Sequence, residues 1–516
     1  MSSYPTSGVN GTHPPGESGD SITLPGRNPD SSFDPLSAAL SSSQVRYTVA
    51  NPKSLEAHNE ACKDFPGGNT RTVLHSSPFP ITFVKGEGCE LTSLDGEVYI
   101  DFLGEFTAGI YGHSNPAIAA AVSEAMKNGW NYGGPNMYER ALAKKVTKRF
   151  CPSGIELVRF TNSGTEANTM ALAAAVAYTG RTKVLAFKNG YHGGTLSFPL
   201  TTNKINANLP HDFILAPYNN ISGTQTILDS LPKDSLAAII VECIQGSGGA
   251  IPGNENFLHF LNTRANKLGA LFIVDEVMTS RLSYHGLSSE LGLTPDLVTL
   301  GKWVGGGMTF GAFGGRKRVM SMFDPRDGVL AHSGTFNNNV VTMAAGCTGI
   351  NLYNEAEVKR LNALGDSLRT GLQAILLRSC QIDQEQPAVF KPCPQKNELE
   401  SPFTGTQCYT STPDTALSVE SLSLSEPRNT KSKIAHHSRK GGMWVSGRGS
   451  IMNVHFSGES EKSLQSIFWH YMLEQGIYLA QRGFVALNIE INESHVEKFL
   501  KAAEGFVGMY QGGLGH

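Results

Sequence analysis

The chain has little of what marks a secreted, membrane-spanning or nucleic-acid-binding protein. Its 516 residues hold 42 Lys and Arg against 45 Asp and Glu, a formal net charge of −3. With no positive excess there is no broad footprint for nucleic acid. No run of about 18 apolar residues occurs, so no transmembrane helix is expected. The opening MSSYPTSGVNGTHPPGESGD has neither an apolar core nor an early Lys or Arg, and does not read as a secretory leader. The Asn-X-Ser/Thr triplets at Asn10, Asn220 and Asn492 are then chance matches. The eight cysteines form no C-x-x-C pair and no Cys/His cluster with zinc spacing. They read as thiols of a reducing compartment, and a cytoplasmic location is expected. Two phosphate-binding signatures are also missing. There is no G-x-G-x-x-G, and Gly301-Lys302 is not a P-loop, because Asp296 stands at its first glycine position and Trp303 follows the lysine.

What is present is a long apolar middle between two weak segments. Residues 1–44 are rich in Ser, Pro and Gly, a composition that cannot offset the entropy of ordering, and are expected to form a disordered arm. Residues 384–440 are rich in Pro, Ser and Thr without a sustained period, and read as a disordered surface insertion. Elsewhere short β-branched runs, KVLAF (183–187), AAIIVE (237–242), LFIVDE (271–276) and DLVTL (296–300), alternate with helically spaced stretches at 166–180 and 254–269. Gly180 and Gly269 stand where helix-ending glycines belong. The pattern predicts an α/β fold, a large domain over 104–350 with a mainly parallel sheet flanked by helices. A smaller α+β domain is expected from 45–103 and 351–516. Within it KGEGCELTSLDGEVYIDF (85–102) reads as a hairpin turning at Asp95-Gly96.

Four motifs carry chemistry. In FTNSGTEAN (160–168) a strand runs into Ser163-Gly164-Thr165 and a helix begins, which is an anion site through its free N–H groups and dipole, or else an ordinary capping turn. In FKNGYHGGT (187–195), Tyr191 can stack on a planar ligand or pack on the core. In IVDEVMTS (273–280), Asp275 ends a strand where α/β proteins bind ligands; it can keep a pyridine nitrogen protonated or cap a helix. In LGKWVGGGMTFGAFGG (300–315), Lys302 is the only Lys or Arg between Arg281 and Arg316 and follows another strand. Desolvated there, its amine suits Schiff-base chemistry; alone, it also reads as a solvated loop lysine. In order, the four supply phosphate, ring-face, ring-nitrogen and aldehyde contacts for one coenzyme.

With PGGNTRTV (66–73), GEFTAGIYGHSNP (104–116), VDEVMTSR (274–281), AHSGTFNNN (331–339) and RGF (482–484), the sequence resembles the class III, fold type I aminotransferases. It is nearest the branch of β-phenylalanine aminotransferases and glutamate-1-semialdehyde aminomutase. The resemblance spans about 50–375 and 442–510. It implies pyridoxal 5′-phosphate (PLP) as cofactor, with Lys302 carrying it and shuttling a proton, and Asp275 on the ring nitrogen. Ser163, Gly164 and Thr165 would hold the phosphate, Tyr191 and Val277 would cover the ring faces, and Thr335 would reach the phosphate of a neighbouring subunit in a homodimer. Arg71 and Arg482 would clamp substrate carboxylates. Phe106 stands where the aminomutases usually carry Trp, and these lack a counterpart of Arg482, so the resemblance implies a transaminase acting on a β-amino acid, with 2-oxoglutarate as acceptor. An aminomutase and a non-catalytic partner of the same fold are the alternatives.

Overall fold

Apolar runs without alternation form strands buried on both faces, and seven such strands make the centre of the molecule. The computed structural model describes residues 34–199, 207–326, 328–378 and 442–510. The strands are β1 (Leu157–Thr161), β2 (Lys183–Phe187), β3 (Asp212–Ala216), β4 (Leu236–Glu242), β5 (Leu271–Asp275), β6 (Leu297–Gly301) and β7 (Gly311–Gly315). Their order across the sheet is β1-β7-β6-β5-β4-β2-β3. All neighbours are parallel except β7, which runs antiparallel to both β6 and β1. Alternate residues face opposite layers. Ala238, Ile240 and Ile273 pack with Ala171, Ala174 and Ala175 of the helix Gly164–Thr179. Ile239, Val241, Phe272 and Val274 pack with Phe257, Leu258 and Leu261 of the helix Glu255–Leu268. Both helices end on a left-handed glycine, Gly180 and Gly269, as their spacing predicts.

The segments before and after this layer meet in a second region. Phe83–Glu87, Glu90–Ser93 and Val98–Asp101 form an antiparallel meander, and Ile477–Tyr478 joins its edge in parallel. The expected hairpin over 85–102 therefore has a turn at Asp95-Gly96 and a second one at Gly88. A second small sheet, Met443–Arg448, Ile451–Phe456 and Phe484–Ala486, packs with the helices Glu355–Arg378 and Glu461–Glu474. No helix among the described residues is long and apolar enough to cross a membrane.

One expectation is corrected. The N-terminal arm does not extend through residue 44, because Pro35–Ala50 is a helix. Asp34 caps it by accepting from the N–H groups of Leu36 and Ser37, and Pro35 occupies its first turn. Leu36, Ala39, Leu40 and Tyr47 lie on its inner side, and the Tyr47 hydroxyl donates to the Phe79 carbonyl at 2.7 Å. Residues 1–33 and the 384–440 insertion lie outside the described residues.

Candidate active site

The carboxyl ends of β4, β5 and β6 lie side by side, with Asp275 in register with Glu242 on one side and Thr299 on the other. This is the edge where open parallel sheets bind ligands. Asp275 is buried and held by three donors. Val277 N donates to Oδ1 at 3.0 Å, Asn168 Nδ2 donates to Oδ2 at 2.8 Å, and His192 Nδ1 lies 2.8 Å from the same oxygen. Asn168 is itself oriented by Thr299, whose hydroxyl donates to its side-chain oxygen at 2.7 Å. Oδ1, accepting a single bond, retains a lone pair for one more donor. Burial works to lower the His192 pKa, but the hydrogen bond and charge of Asp275 outweigh it and raise it above the usual histidine value. Glu242 is buried next to this pair, and desolvation pushes its carboxyl up to about 7. Its two oxygens accept from Tyr191 N and Gly246 N, both at 3.0 Å, so Glu242 fixes the backbone that carries Tyr191.

Beyond β1, Ser163 caps the helix Gly164–Thr179 and accepts from Glu166 N at 3.1 Å. The first-turn N–H groups of Gly164 and Thr165 have no intrahelical acceptor, and the helix dipole adds positive potential there. A Cβ at Gly164 would stand 2.8 Å from Val277 Cγ1, so the glycine lets the helix start close against Val277. At Gly193 (φ +134°) a Cβ would meet Thr165 Oγ1 at 2.4 Å, and the loop after β2 closes on the same helix end.

Lys302 follows β6 with a left-handed backbone, φ 55°. Its Nζ donates to the Phe106 carbonyl at 2.7 Å. Burial lowers its pKa to about 8, against the opposing pull of Asp275 and Glu242. The amine is thus far closer to its neutral, nucleophilic form at neutral pH than an exposed lysine. Behind it, Trp303 is fully buried, donates from Nε1 to Ser280 Oγ at 2.9 Å and lies 4.7 Å beneath the Arg149 guanidinium.

The two candidate clamp arginines converge on Phe106. Arg71 and Arg482 lie 5.8 and 5.5 Å from its ring centroid, and Phe484 stacks on it at 5.9 Å. Arg71 is paired with Glu105, whereas Arg448 is taken up by Glu290. Thr335 is exposed; its segment is tied to the same chain's anion loop through Asn162 Nδ2, which donates to Asn337 Oδ1 at 3.0 Å. Sequence reasoning missed Asn168, Glu242 and Thr299 as supports of the site, and the Phe106 carbonyl as the partner of Lys302. The first three had a signal in their places, one turn into the helix after the anion loop and at strand ends. A backbone carbonyl has none.

A helix N-terminus for a phosphate, a tethered carboxylate for a ring nitrogen and a desolvated amine for an aldehyde fit PLP. On this sheet they define a fold type I PLP-dependent transferase. The family model for aminotransferase class-III matches residues 73–384, and the chain belongs to that family. It is 39% identical over 484 residues to the beta-phenylalanine transaminase of Variovorax paradoxus, covering 92% of this chain and 96% of that one. It is 40% identical over 487 residues to an uncharacterised aminotransferase of Schizosaccharomyces pombe, with 92% and 96% covered. The crystal structure of a beta-phenylalanine aminotransferase from Variovorax paradoxus superposes with a TM-score of 0.78 at 38% identity, covering 92% of this chain and 98% of that one.

Proposed function

We propose that this aminotransferase takes its amino group from a β-amino acid with an aromatic or apolar side chain and passes it to an oxo acid such as 2-oxoglutarate. The observation that carries this reading is the pairing of Arg71 and Arg482 around Phe106, whose carbonyl holds Lys302. One apolar ring flanked by two guanidiniums suits a substrate with a carboxylate and an aromatic or aliphatic group, and a planar guanidinium binds carboxylate through two parallel hydrogen bonds. The similarity to the Variovorax beta-phenylalanine transaminase supports it.

In this reading Ser163, Gly164 and Thr165 bind the phosphate, while Tyr191 and Val277 enclose the ring. Asp275 holds a proton on the ring nitrogen. When bound, PLP supplies an electron sink for the pair left on the donor's amine-bearing carbon. Lys302 binds the coenzyme at rest; once an amino donor displaces it, its Nζ takes the proton from that carbon and later delivers it. The Phe106 carbonyl orients the freed ammonium. The working form is a homodimer in which Thr335 reaches the partner's phosphate site. Exposed Trp130, Tyr132, Met137 and Phe336 support this, since segments 130–137 and 336–340 are hydrogen-bonded together and form an apolar patch beside Thr335.

The test follows the coenzyme spectrum as α-, β- and ω-amino acids are added to the holoenzyme, without and then with 2-oxoglutarate. The expected result is conversion to the amine form by an aromatic β-amino acid, reversed by the oxo acid. Multiple turnovers to an isomeric product without any oxo acid point to an aminomutase, and no response to any β-amino acid sinks the donor assignment.

A further inference from the structure

Glu105 has no part in the reaction as described, yet it holds one of the two clamp arginines. Arg71 Nη1 donates to Glu105 Oε1, and each side chain is about half exposed, 45% and 52%. Arg482, by contrast, has no carboxylate partner among the described residues and lies over Phe106 and Phe484. The two arginines thus present different faces to a ligand, one neutralised and one not.

The position of Glu105 is built. Glu105, Phe106 and Thr107 have φ of 48°, 51° and 80°, three successive residues other than glycine in the left-handed region. Such backbone costs about 1 kcal/mol or more per residue and persists only where the surroundings impose it. Here Asp101 Oδ1 accepts from Leu103 N at 2.8 Å and Gly104 N at 3.0 Å, and Lys302 holds the Phe106 carbonyl. Arg71 sits between two short 3-10 turns, Pro66–Gly68 and Thr72–Leu74, its N–H donating to Asn69 Oδ1 at 3.0 Å and its carbonyl accepting from Leu74 N at 2.8 Å. The backbone under Glu105 is thus imposed by the site, while both side chains of the pair are about half exposed, so a ligand can reach either.

We propose that Glu105 is a specificity residue, an internal carboxylate that occupies Arg71 until the carboxylate of a substrate displaces it. The inference rests on Arg71 being a carboxylate clamp. An anionic ligand at Arg71 exchanges one carboxylate for another and gains little. A neutral ligand leaves the pair intact and strands no guanidinium without a partner. Arg71 therefore accepts both a carboxylate and an uncharged group, and Arg482 is the arginine that discriminates between them.

The experiment measures binding of 3-phenylpropanoate and of neutral 3-phenylpropanamide to the holoenzyme by calorimetry; neither has an amine to react. Glu105→Gln is expected to tighten the propanoate about 2- to 5-fold, the range of a half-exposed ion pair, and to leave the amide unchanged. The gain disappears when Arg71→Gln is added. Glu105→Asn, a residue that tolerates left-handed backbone, gives the same direction should the Gln variant fold poorly. If Glu105→Gln leaves propanoate affinity unchanged, or weakens both ligands alike, the gate is wrong and Glu105 is structural. If Arg71→Gln leaves propanoate affinity unchanged in the Glu105→Gln background, where no internal carboxylate competes for it, the clamp reading fails and the gate with it. Weakening by Arg71→Gln without tightening by Glu105→Gln overturns the gate alone.

Discussion

Asp275 and Lys302 stand at the ends of adjacent strands, and the Asp275 charge opposes the burial that lowers the Lys302 pKa. Replacing Asp275 by Asn keeps the shape and removes the charge. Turnover should fall by about 10²- to 10³-fold, the scale for losing one preorganised electrostatic contact. The same substitution should lower the His192 pKa, because burial, its largest influence, is then opposed only by the charge of Glu242; His192 titration by NMR reads this directly. For Lys302, a pKa near 8 means that coenzyme capture by the apoprotein rises about tenfold per pH unit below pH 8 and levels off above it. Stopped-flow absorbance after mixing with PLP checks the midpoint; one near the ordinary lysine value contradicts the desolvated environment. These residues were legible in the sequence because each follows an apolar run at a strand end. Asn168 was missed although its place one turn into the helix after the anion loop was a signal, since that place does not tell which strand's carboxylate the amide reaches.

The central strands and the helices Gly164–Thr179 and Glu255–Leu268 lie where periodicity and their closing glycines put them. The helix Pro35–Ala50 was lost in a serine-rich composition, although Asp34-Pro35 is a helix-start signal and Leu36, Ala39, Leu40 and Tyr47 have helical spacing. Composition averages over a segment, while docking depends on one face. Tyr47 is the anchor, with ring centroids 4.9 Å from Phe79 and 5.5 Å from Trp469. Tyr47→Ala should cost about 3 kcal/mol in urea unfolding, as for other buried aromatics. A loss under about 1 kcal/mol would mean that the helix is dispensable to the fold. The left-handed turn at Glu105–Thr107 was hidden for a different reason, since it carries no glycine at those three positions and is imposed by distant contacts.

For the whole molecule, the proposed exchange of Thr335 between subunits has a clean assay. A Lys302→Ala chain and a Thr335→Glu chain should each be inactive alone, the second by placing negative charge at the partner's phosphate. If Thr335 serves the neighbour, one mixed dimer contains one site with both lesions and one with neither. Mixing equal amounts under exchange conditions should restore about a quarter of the sites. If Thr335 serves its own chain, every site in the mixture keeps one lesion and no activity returns. Sedimentation of the unmutated protein should show a dimer, with the apolar patch of Trp130, Tyr132, Met137 and Phe336 covered by the second copy.

Trp303 has a use outside catalysis. Of the four tryptophans in the chain, it alone adjoins the lysine proposed to hold the coenzyme, with its indole immobilised by Ser280 and shielded from solvent. A rigid, dry fluorophore one residue from a chromophore is an optical gauge. Its emission should dim as PLP loads and recover as PLP leaves, so occupancy of the purified protein is readable from intrinsic fluorescence without any substrate at hand.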